Sequence, residues 1–195
     1  MASRRNPGQR AGLGRDRVLV AARELLAERG LEALTMRALA ERLQVSPNAL
    51  YSHVAGKTAL IDEILDGVLA EVEAPPADLE DPVAGLDSLM ASTYGVLLAH
   101  AELVPLYLAR QGARGPNAQR LGDVMLALLA RAGVTGRRAR EALRVLLVYT
   151  IGFAAFATRP PIEASGAREP PSAEMLANFD SGLGWLLTGI VSPSR

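Results

Sequence analysis

Apolar residues recur along most of this chain at the three-and-four spacing that marks one face of an α-helix. The clearest case lies within residues 35–57, TMRALAERLQVSPNALYSHVAGK. Its first half carries an apolar stripe at Met36, Leu39, Ala40 and Leu43. Three residues then interrupt the stripe, and Ser46 followed by Pro47 has the residue types of an N-cap and a first helical position. The pattern predicts two short helices joined by a tight turn.

The second of these helices, over about residues 47–54, has a narrow apolar side and a broad polar one. Leu50 and Val54 supply the apolar side. The other faces carry Asn48, Ala49, Tyr51 and His53. Because Ala40 on the first helix is small, the second helix can cross it closely. The arrangement predicts a helix-turn-helix, whose second helix is shaped to enter a DNA major groove.

The same periodicity predicts helices on both sides of this pair. They lie at about 16–29, ending at Gly30, and at 57–72, 83–99, 103–111, 117–132, 137–158 and 172–191. Thr35, Asp81 and Ser172 are the expected N-caps, and the Pro- and Gly-rich residues 159–171 form a loop. No strand pattern and no repeat occurs, so the sequence predicts an all-α chain.

We therefore expect three parts. Residues 1–14 form a flexible basic arm, either a solvated tail, which we favour, or a segment that touches DNA. Residues 15–60 form a three-helix, helix-turn-helix DNA-binding domain. Helix 4 joins it to a larger helical domain over residues 61–195.

Charge supports this division. The formal net charge is zero, but residues 1–57 hold ten basic and five acidic side chains, and the remainder has the opposite excess. A basic amino-terminal part on an acidic body indicates contact with a polyanion.

Catalytic and metal chemistry find little support in the sequence. The chain has no cysteine and two histidines, at positions 53 and 100, so we expect no metal site, no cofactor and no enzyme. His100 is expected at the surface or in a helix-end contact. Gly56-Lys57-Thr58 resembles the end of a phosphate-binding loop, but Tyr51 stands where that loop needs glycine.

The expected location is the cytoplasm. The first residues lack the apolar core of a secretory signal. The longest uncharged apolar run, residues 145–158, is too short to span a bilayer.

Residues 15–66 resemble the DNA-binding domain of the tetracycline-repressor (TetR) family. The resemblance rests on ERG at the end of helix 1 and on LEALTMRALAERLQVSPNALYSHVAGKTALIDEIL, with its T-x-R-x-L-A-x-x-L, L-Y-x-H-V and G-K-x-x-L spacings. It implies a ligand-responsive transcriptional regulator, most often a repressor, that binds a palindromic double-stranded operator as a homodimer. The residues that it implies at the DNA are Arg37, Pro47, Asn48, Ala49, Tyr51, His53 and Lys57.

The chemistry of these side chains suggests a role for each. Lys57, at the start of helix 4, suits a phosphate. Asn48 can pair with adenine, and Ala49 can pack on a thymine methyl group. Tyr51 and His53 suit phosphates, although packing in the core and a plain surface histidine are the alternatives. Arg37 suits a base or the backbone.

Two positions depart from the family pattern. Gln44 stands where the family usually has glycine, so the turn either differs in shape or carries a left-handed glutamine at a cost of about 1–2 kcal/mol. Pro47 stands where the tetracycline repressors read a base with glutamine, so we expect a different operator.

The carboxy-terminal helices are expected to enclose a pocket for a small-molecule effector, apolar or aromatic in character. Histidines that help to hold the magnesium chelate in the tetracycline repressors are missing, so another effector is expected. The candidate lining residues, each of which could equally be plain core, are Met90, Tyr94, Tyr107, Met125, Tyr149, Phe153, Phe156 and Trp185.

Residues 143–156 are apolar nearly all round the helix, so that helix needs cover on every side. With the last helix it is expected to form a four-helix interface with a second copy, approached closely at Gly152, Ala154 and Ala155. The alternative is a central helix in a monomeric bundle. An alternative function is a helical small-molecule-binding protein whose first helices serve protein contacts, which would require Arg37 and Lys57 to be buried or neutralised.

Overall fold

The computed structural model describes residues 13–159 and 172–192, which contain helices and no strand. The all-α prediction is confirmed. The helices are α1 (Arg15–Ala33), α2 (Met36–Leu43), α3 (Pro47–Tyr51), α4 (Lys57–Val68), α5 (Pro82–Ala99), α6 (Val104–Arg110), α7 (Pro116–Arg131), α8 (Gly136–Ala157) and α9 (Ser172–Val191). Short 3₁₀ turns follow α4 at Leu69–Glu71 and precede α6 at Ala101–Leu103.

The chain forms two compact units, one ending at Ile64 and the other beginning at Leu65. The boundary falls inside α4, four residues beyond the end that we expected for the first domain. Most of the predicted basic arm (residues 1–12) and most of the predicted loop (residues 160–171) lie outside the described residues.

The first unit is organised around the apolar stripe of α1. Its buried members are Val18, Ala21, Ala22, Leu25 and Leu26, as the periodicity predicts. Gly30 has φ 75° and interrupts the helical conformation near the end of α1, where the sequence placed the stop. Ala40 of α2 is 1% exposed, consistent with the close crossing expected from its small side chain.

The turn between α2 and α3 keeps a left-handed residue at Gln44, with φ 56° and ψ 42°. The amide of Gln44 donates to the carbonyl of Glu41 at 3.1 Å, and that of Val45 donates to the carbonyl of Ala40 at 3.0 Å. These bonds end α2 in the manner of a glycine-terminated helix. Of the two alternatives, the left-handed glutamine is the one observed.

Some of the predicted N-cap residues make a side-chain capping hydrogen bond and one does not. Thr35 Oγ1 accepts a hydrogen bond from the amide of Ala38 at 3.1 Å. Asp81 Oδ1 accepts from the amides of Val83 and Ala84 at 2.9 and 3.0 Å. Ser46 has the backbone conformation of an N-cap, but its side chain makes no capping hydrogen bond.

Helix α8 is the centre of the second unit and packs against α5, α6, α7 and α9. Its inner face is buried at Ala139, Ala142, Leu146, Thr150 and Ala154. Ala154 was expected at an interface with a second copy, but it is fully buried within its own chain. Gly152 is exposed and Ala155 is half-buried.

A buried carboxylate fixes the start of α7 in the second unit. Asp66, 5% exposed, accepts hydrogen bonds from the amides of Asn117 and Ala118 at 3.2 and 2.8 Å and from Asn117 Nδ2 at 3.1 Å. A side chain at Gly115 would overlap this carboxylate. The sequence contains the Gly-Pro start of α7 but does not reveal this cap, because the capping residue lies about fifty positions earlier.

Within the described residues, no single helix is long and apolar enough to cross a membrane. One pair, Pro82–Ala99 with Ala101–Arg110, reaches the required length and composition together, but it is bent by 93°.

Candidate nucleic-acid interface and effector cavity

The short helix α3 buries one side chain and exposes most of the others. Leu50 is fully buried. Pro47 and Asn48 are exposed, Ala49 is half-buried, and Tyr51 is 54% exposed. The core alternative for Tyr51 therefore finds no support, since Leu50 holds the helix in place and leaves the tyrosine ring in solvent.

Arg37 on α2 is 86% exposed and forms an ion pair within its own helix. Its Nε donates to Glu41 Oε1 at 3.0 Å, and that carboxylate is also exposed. Pairs of this kind, one helical turn apart and in solvent, are weak. Arg37 is therefore accessible, although Glu41 partly offsets its charge.

Lys57 and His53 lie on either side of the α3–α4 connection. His53 is half-buried, and its amide donates to the carbonyl of Leu50 at 2.9 Å. Lys57 is the first residue of α4, and its Nζ donates to the carbonyl of Leu31 at 3.2 Å. The first turn of α4 contains no acidic residue. The start of a helix, where backbone amide groups have no intrahelical partner, suits a phosphate when it also carries a lysine.

An exposed ion cluster fixes α2 on α1. Arg42 donates to both carboxylate oxygens of Glu28 at 2.7 Å and to Glu24 at 2.9 Å. The hydrogen bond from Arg42 lowers the pKa of the Glu28 carboxyl, and the bonds to Glu28 and Glu24 raise the pKa of the guanidinium. These ion pairs connect the two helices, which also pack through the buried Leu39, Ala40 and Leu43 of α2, and they leave Arg42 engaged in the protein.

The second unit contains a cavity of about 670 Å³, a size typical of small-molecule sites. Three of the eight predicted lining residues reach it: Met90, Tyr107 and Met125. Two of the hydroxyl groups on its wall already donate hydrogen bonds to backbone carbonyls. The hydroxyl of Tyr107 donates to the carbonyl of Leu65 at 2.6 Å, and that of Thr93 donates to the carbonyl of Leu89 at 2.8 Å.

Three other predicted lining residues form an aromatic cluster with Phe179 of α9. The ring centroid of Tyr94 lies 4.1 Å from that of Phe179, and those of Tyr149 and Phe153 lie 5.4 and 5.7 Å from it. Burial, with a smaller effect from the Asp180 charge, raises the pKa of Tyr94 and of Tyr149. Tyr94 is buried and the other two rings are half-buried, and none of the three lines the 670 Å³ cavity.

The last two predicted residues lie at the surface. Phe156 is 63% exposed beside a shallow depression bounded by Gly152, Met175 and Asn178, and Trp185 is 78% exposed. Neither lines the 670 Å³ cavity.

Sequence reasoning also missed polar residues at the cavity. Arg144 of α8 and Gln111, which ends α6 in a left-handed conformation with φ 56°, both line it. Arg144 could have been noticed in the sequence, because it is a charged residue inside the otherwise apolar stretch that begins at Leu143.

Within the described ranges, no group of three or more His, Cys, Asp or Glu side chains lies close enough together to hold a metal ion. His100 ends α5, and its Nε2 lies 2.8 Å from Glu71 Oε2. That contact agrees with the helix-end role expected for it.

The chain matches two family models. Residues 18–64 match the model described as bacterial regulatory proteins, tetR family, and residues 76–180 match the tetracyclin repressor-like C-terminal domain.

Curated relatives point the same way. The chain is 39% identical over 125 residues to an HTH-type transcriptional regulator of Saccharopolyspora erythraea, covering 62% of this chain and 51% of that protein. It is 33% identical over 142 residues to the class C tetracycline repressor of Escherichia coli, covering 72% and 64%. The chain thus spans between half and two thirds of the length of these two relatives.

Solved structures share the fold over nearly the whole chain. A TetR variant from Acinetobacter baumannii in complex with minocycline superposes with a TM-score of 0.74 at 32% identity, covering 91% of this chain and 96% of that one. BioQ with its double-stranded DNA operator superposes with a TM-score of 0.73 at 26% identity, covering 93% and 99%. With both units matched by family models, the chain belongs to the TetR family of bacterial regulatory proteins.

Proposed function

We propose that this protein is a ligand-responsive transcriptional regulator, a repressor that binds a palindromic operator as a homodimer and is released by a small molecule. The observation that carries the proposal is the exposed side of α3, held in place by buried Leu50, beside the lysine that begins α4. We place the protein in the cytoplasm with its DNA and assign it a binding role without catalysis.

At the DNA, the proposed roles divide between bases and phosphates. Asn48 and Ala49 on α3 read base edges, Asn48 by a bidentate bond to adenine and Ala49 by contact with a thymine methyl. Lys57, Tyr51 and His53 contact phosphates, which fix register and carry no sequence information. The exposure of Arg37, Pro47, Asn48 and Tyr51 supports this assignment.

The 670 Å³ cavity is the proposed effector site. Its volume suits a drug-sized molecule, and Met90, Met125 and Tyr107 supply part of an apolar wall. The minocycline complex and the DNA complex of the two family members above support a regulator with both kinds of ligand.

The homodimer is proposed from the outer faces of α8 and α9. Large apolar side chains that do not line the cavity remain in solvent there, among them Phe156 of α8 (63% exposed) and Trp185 of α9 (78%). Two copies related by a two-fold axis would present two α3 helices to half-sites about 34–36 Å apart.

Selection of bound sequences from a random duplex pool, followed by affinity measurements at several salt concentrations, tests the DNA-binding proposal. Lys57→Gln is expected to weaken binding to every sequence about three- to tenfold and to reduce the salt dependence by about one ion, because one phosphate contact is lost. Asn48→Ala is expected to relax the preference at one base pair.

Arg140→Gln, which removes an exposed charge from α8, is the matched control and should bind like the wild type. Absence of salt-sensitive, sequence-selective duplex binding by the wild type would overturn the proposed function. Equal effects of the Lys57 and Asn48 variants on all sequences would overturn the division of roles.

A further inference from the structure

Among the described residues that line the 670 Å³ cavity, one side chain is formally charged, Arg144 of α8. Within residues 13–159 and 172–192, no aspartate, glutamate or lysine lines it. The rest of the wall is mostly leucine, methionine and alanine, with a few hydroxyl and amide groups. The cavity therefore offers an apolar volume with a single cation at its edge, where Arg144 remains solvent-exposed.

Arg144 has no ion-pair or hydrogen-bond partner within residues 13–159 and 172–192. Its neighbours on α8 differ in this respect. Arg137 pairs with Glu141 at 2.7 Å, and Arg138 donates to the carbonyl of Ile190 at 2.7 Å. The five guanidinium donors of Arg144 are thus available, in a planar arrangement that matches a carboxylate.

Most other polar groups of the wall are engaged within the protein. The hydroxyls of Tyr107 and Thr93 donate to backbone carbonyls, and Thr150 Oγ1 lies 3.6 Å from Met90 Sδ. Among the described lining residues, Arg144 and Gln111 supply the side-chain hydrogen-bond donors that remain for a ligand.

We infer that the effector is an organic acid, with its apolar body in the cavity and its carboxylate bound by Arg144. This inference deepens the proposed function, on which it rests, by naming the chemical class of the effector. A cationic ligand would meet Arg144 with no carboxylate on the described part of the wall to balance it. A carboxylate would gain a charge-assisted, bidentate contact whose strength increases as the ligand displaces water from the cavity.

Paired acids and amides of the same shape test the inference. The probes are naphthaleneacetate with naphthaleneacetamide and decanoate with decanamide, and binding to the full chain is measured by calorimetry. The wild type is expected to prefer each acid over its amide by at least about tenfold, which corresponds to about 1.4 kcal/mol of binding free energy. Arg144→Gln should lose that preference and keep its affinity for the amide, and Arg144→Lys should retain part of it.

Arg140→Gln is again the matched control, since it removes one positive charge from the same helix but does not line the cavity. Its acid preference should equal that of the wild type; an equal loss there would overturn the inference, because the effect would then be general electrostatics. Equal binding of acid and amide by the wild type, or no binding of either acid up to about 1 mM, would also overturn it.

The DNA experiments distinguish failure of this inference from failure of the proposed function. Arg144→Gln is expected to bind duplex DNA like the wild type. Selective DNA binding without acid preference rejects the acid and leaves the regulator standing. Acid preference without DNA binding rejects the regulator, and with it the effector role of the acid.

Discussion

Gln44 holds a backbone conformation that suits glycine. A residue with a Cβ at φ 56° and ψ 42° is strained by about 1 kcal/mol relative to glycine. The hydrogen bonds of the turn are nevertheless formed, from Gln44 to Glu41 and from Val45 to Ala40. Gln44 therefore forms the same turn as a glycine would, but with a higher conformational energy.

Gln44→Gly is expected to raise the free energy of unfolding by about 1 kcal/mol, because glycine adopts the left-handed conformation without the Cβ penalty and that gain exceeds its extra entropy in the unfolded state. Urea denaturation followed by circular dichroism measures the change. Gln44→Val should destabilise the protein, since a β-branched residue fits this conformation worst. A less stable Gln44→Gly variant would contradict the strain argument.

At the scale of elements, the seating of α2 on α1 depends on charge as well as on apolar contact. Arg42 connects α2 to Glu24 and Glu28 of α1. Because the folded state lowers the pKa of Glu28, its carboxylate stabilises the folded state above the unfolded-state pKa, and this contribution is lost as the pH falls through the folded-state pKa.

Arg42→Met should therefore be less stable than the wild type near neutral pH, and the difference should shrink in acid. Thermal melts of both proteins between about pH 7 and about pH 3 measure it. Arg140→Met, which breaks no ion pair in the described structure, should show no such pH-dependent difference. A constant difference between Arg42→Met and the wild type across this range would show that lost packing, and not charge, explains the effect.

Helix α7 begins against the buried carboxylate of Asp66. Three N–H donors converge on its two oxygens, so replacing one oxygen with an amide nitrogen would leave at least one donor facing another donor. The first residues of α7 are consequently tied to the last part of α4.

Asp66→Asn is expected to lower the free energy of unfolding by about 2–3 kcal/mol, because buried donors lose their acceptor. Chemical denaturation measures the loss. Asp123→Asn on the exposed side of α7 is the control and should be nearly neutral. A neutral Asp66→Asn variant would mean that water replaces the lost acceptor.

At the scale of the whole molecule, the positions of the helices were easier to predict from the sequence than the contacts between them. Helices followed from apolar spacing and from residues such as Pro82 and Pro116, because both signals are local in the chain. The cavity wall did not follow, because it depends on which side of each helix meets another. Tyr94 and Phe153 have the residue type expected of a lining, yet Tyr94 stacks on Phe179 and Phe153 meets that ring edge to face. Arg144 was overlooked within an apolar run.

The proposed homodimer gives a prediction at this scale. Trp185→Glu should reduce the mass in solution from twice 20.6 kDa to 20.6 kDa, because it places a charge in an apolar interface. Light scattering after gel filtration measures the mass. Val20→Glu, at an exposed apolar residue of α1, should leave the mass unchanged. A wild-type protein with the mass of a single chain would instead support the monomeric bundle.

Lys57 is the only lysine among 21 basic residues, and its ammonium group is already hydrogen-bonded to the carbonyl of Leu31. Immobilising a lysine side chain costs up to roughly 2 kcal/mol of conformational entropy. Because Lys57 is already hydrogen-bonded in the free protein, much of this entropy is lost when the chain folds and not when it binds DNA. Two of the three N–H donors of its ammonium group remain for a phosphate. The proposed phosphate contact is therefore preorganised, and the side chain has little rotamer freedom left to lose when the operator arrives.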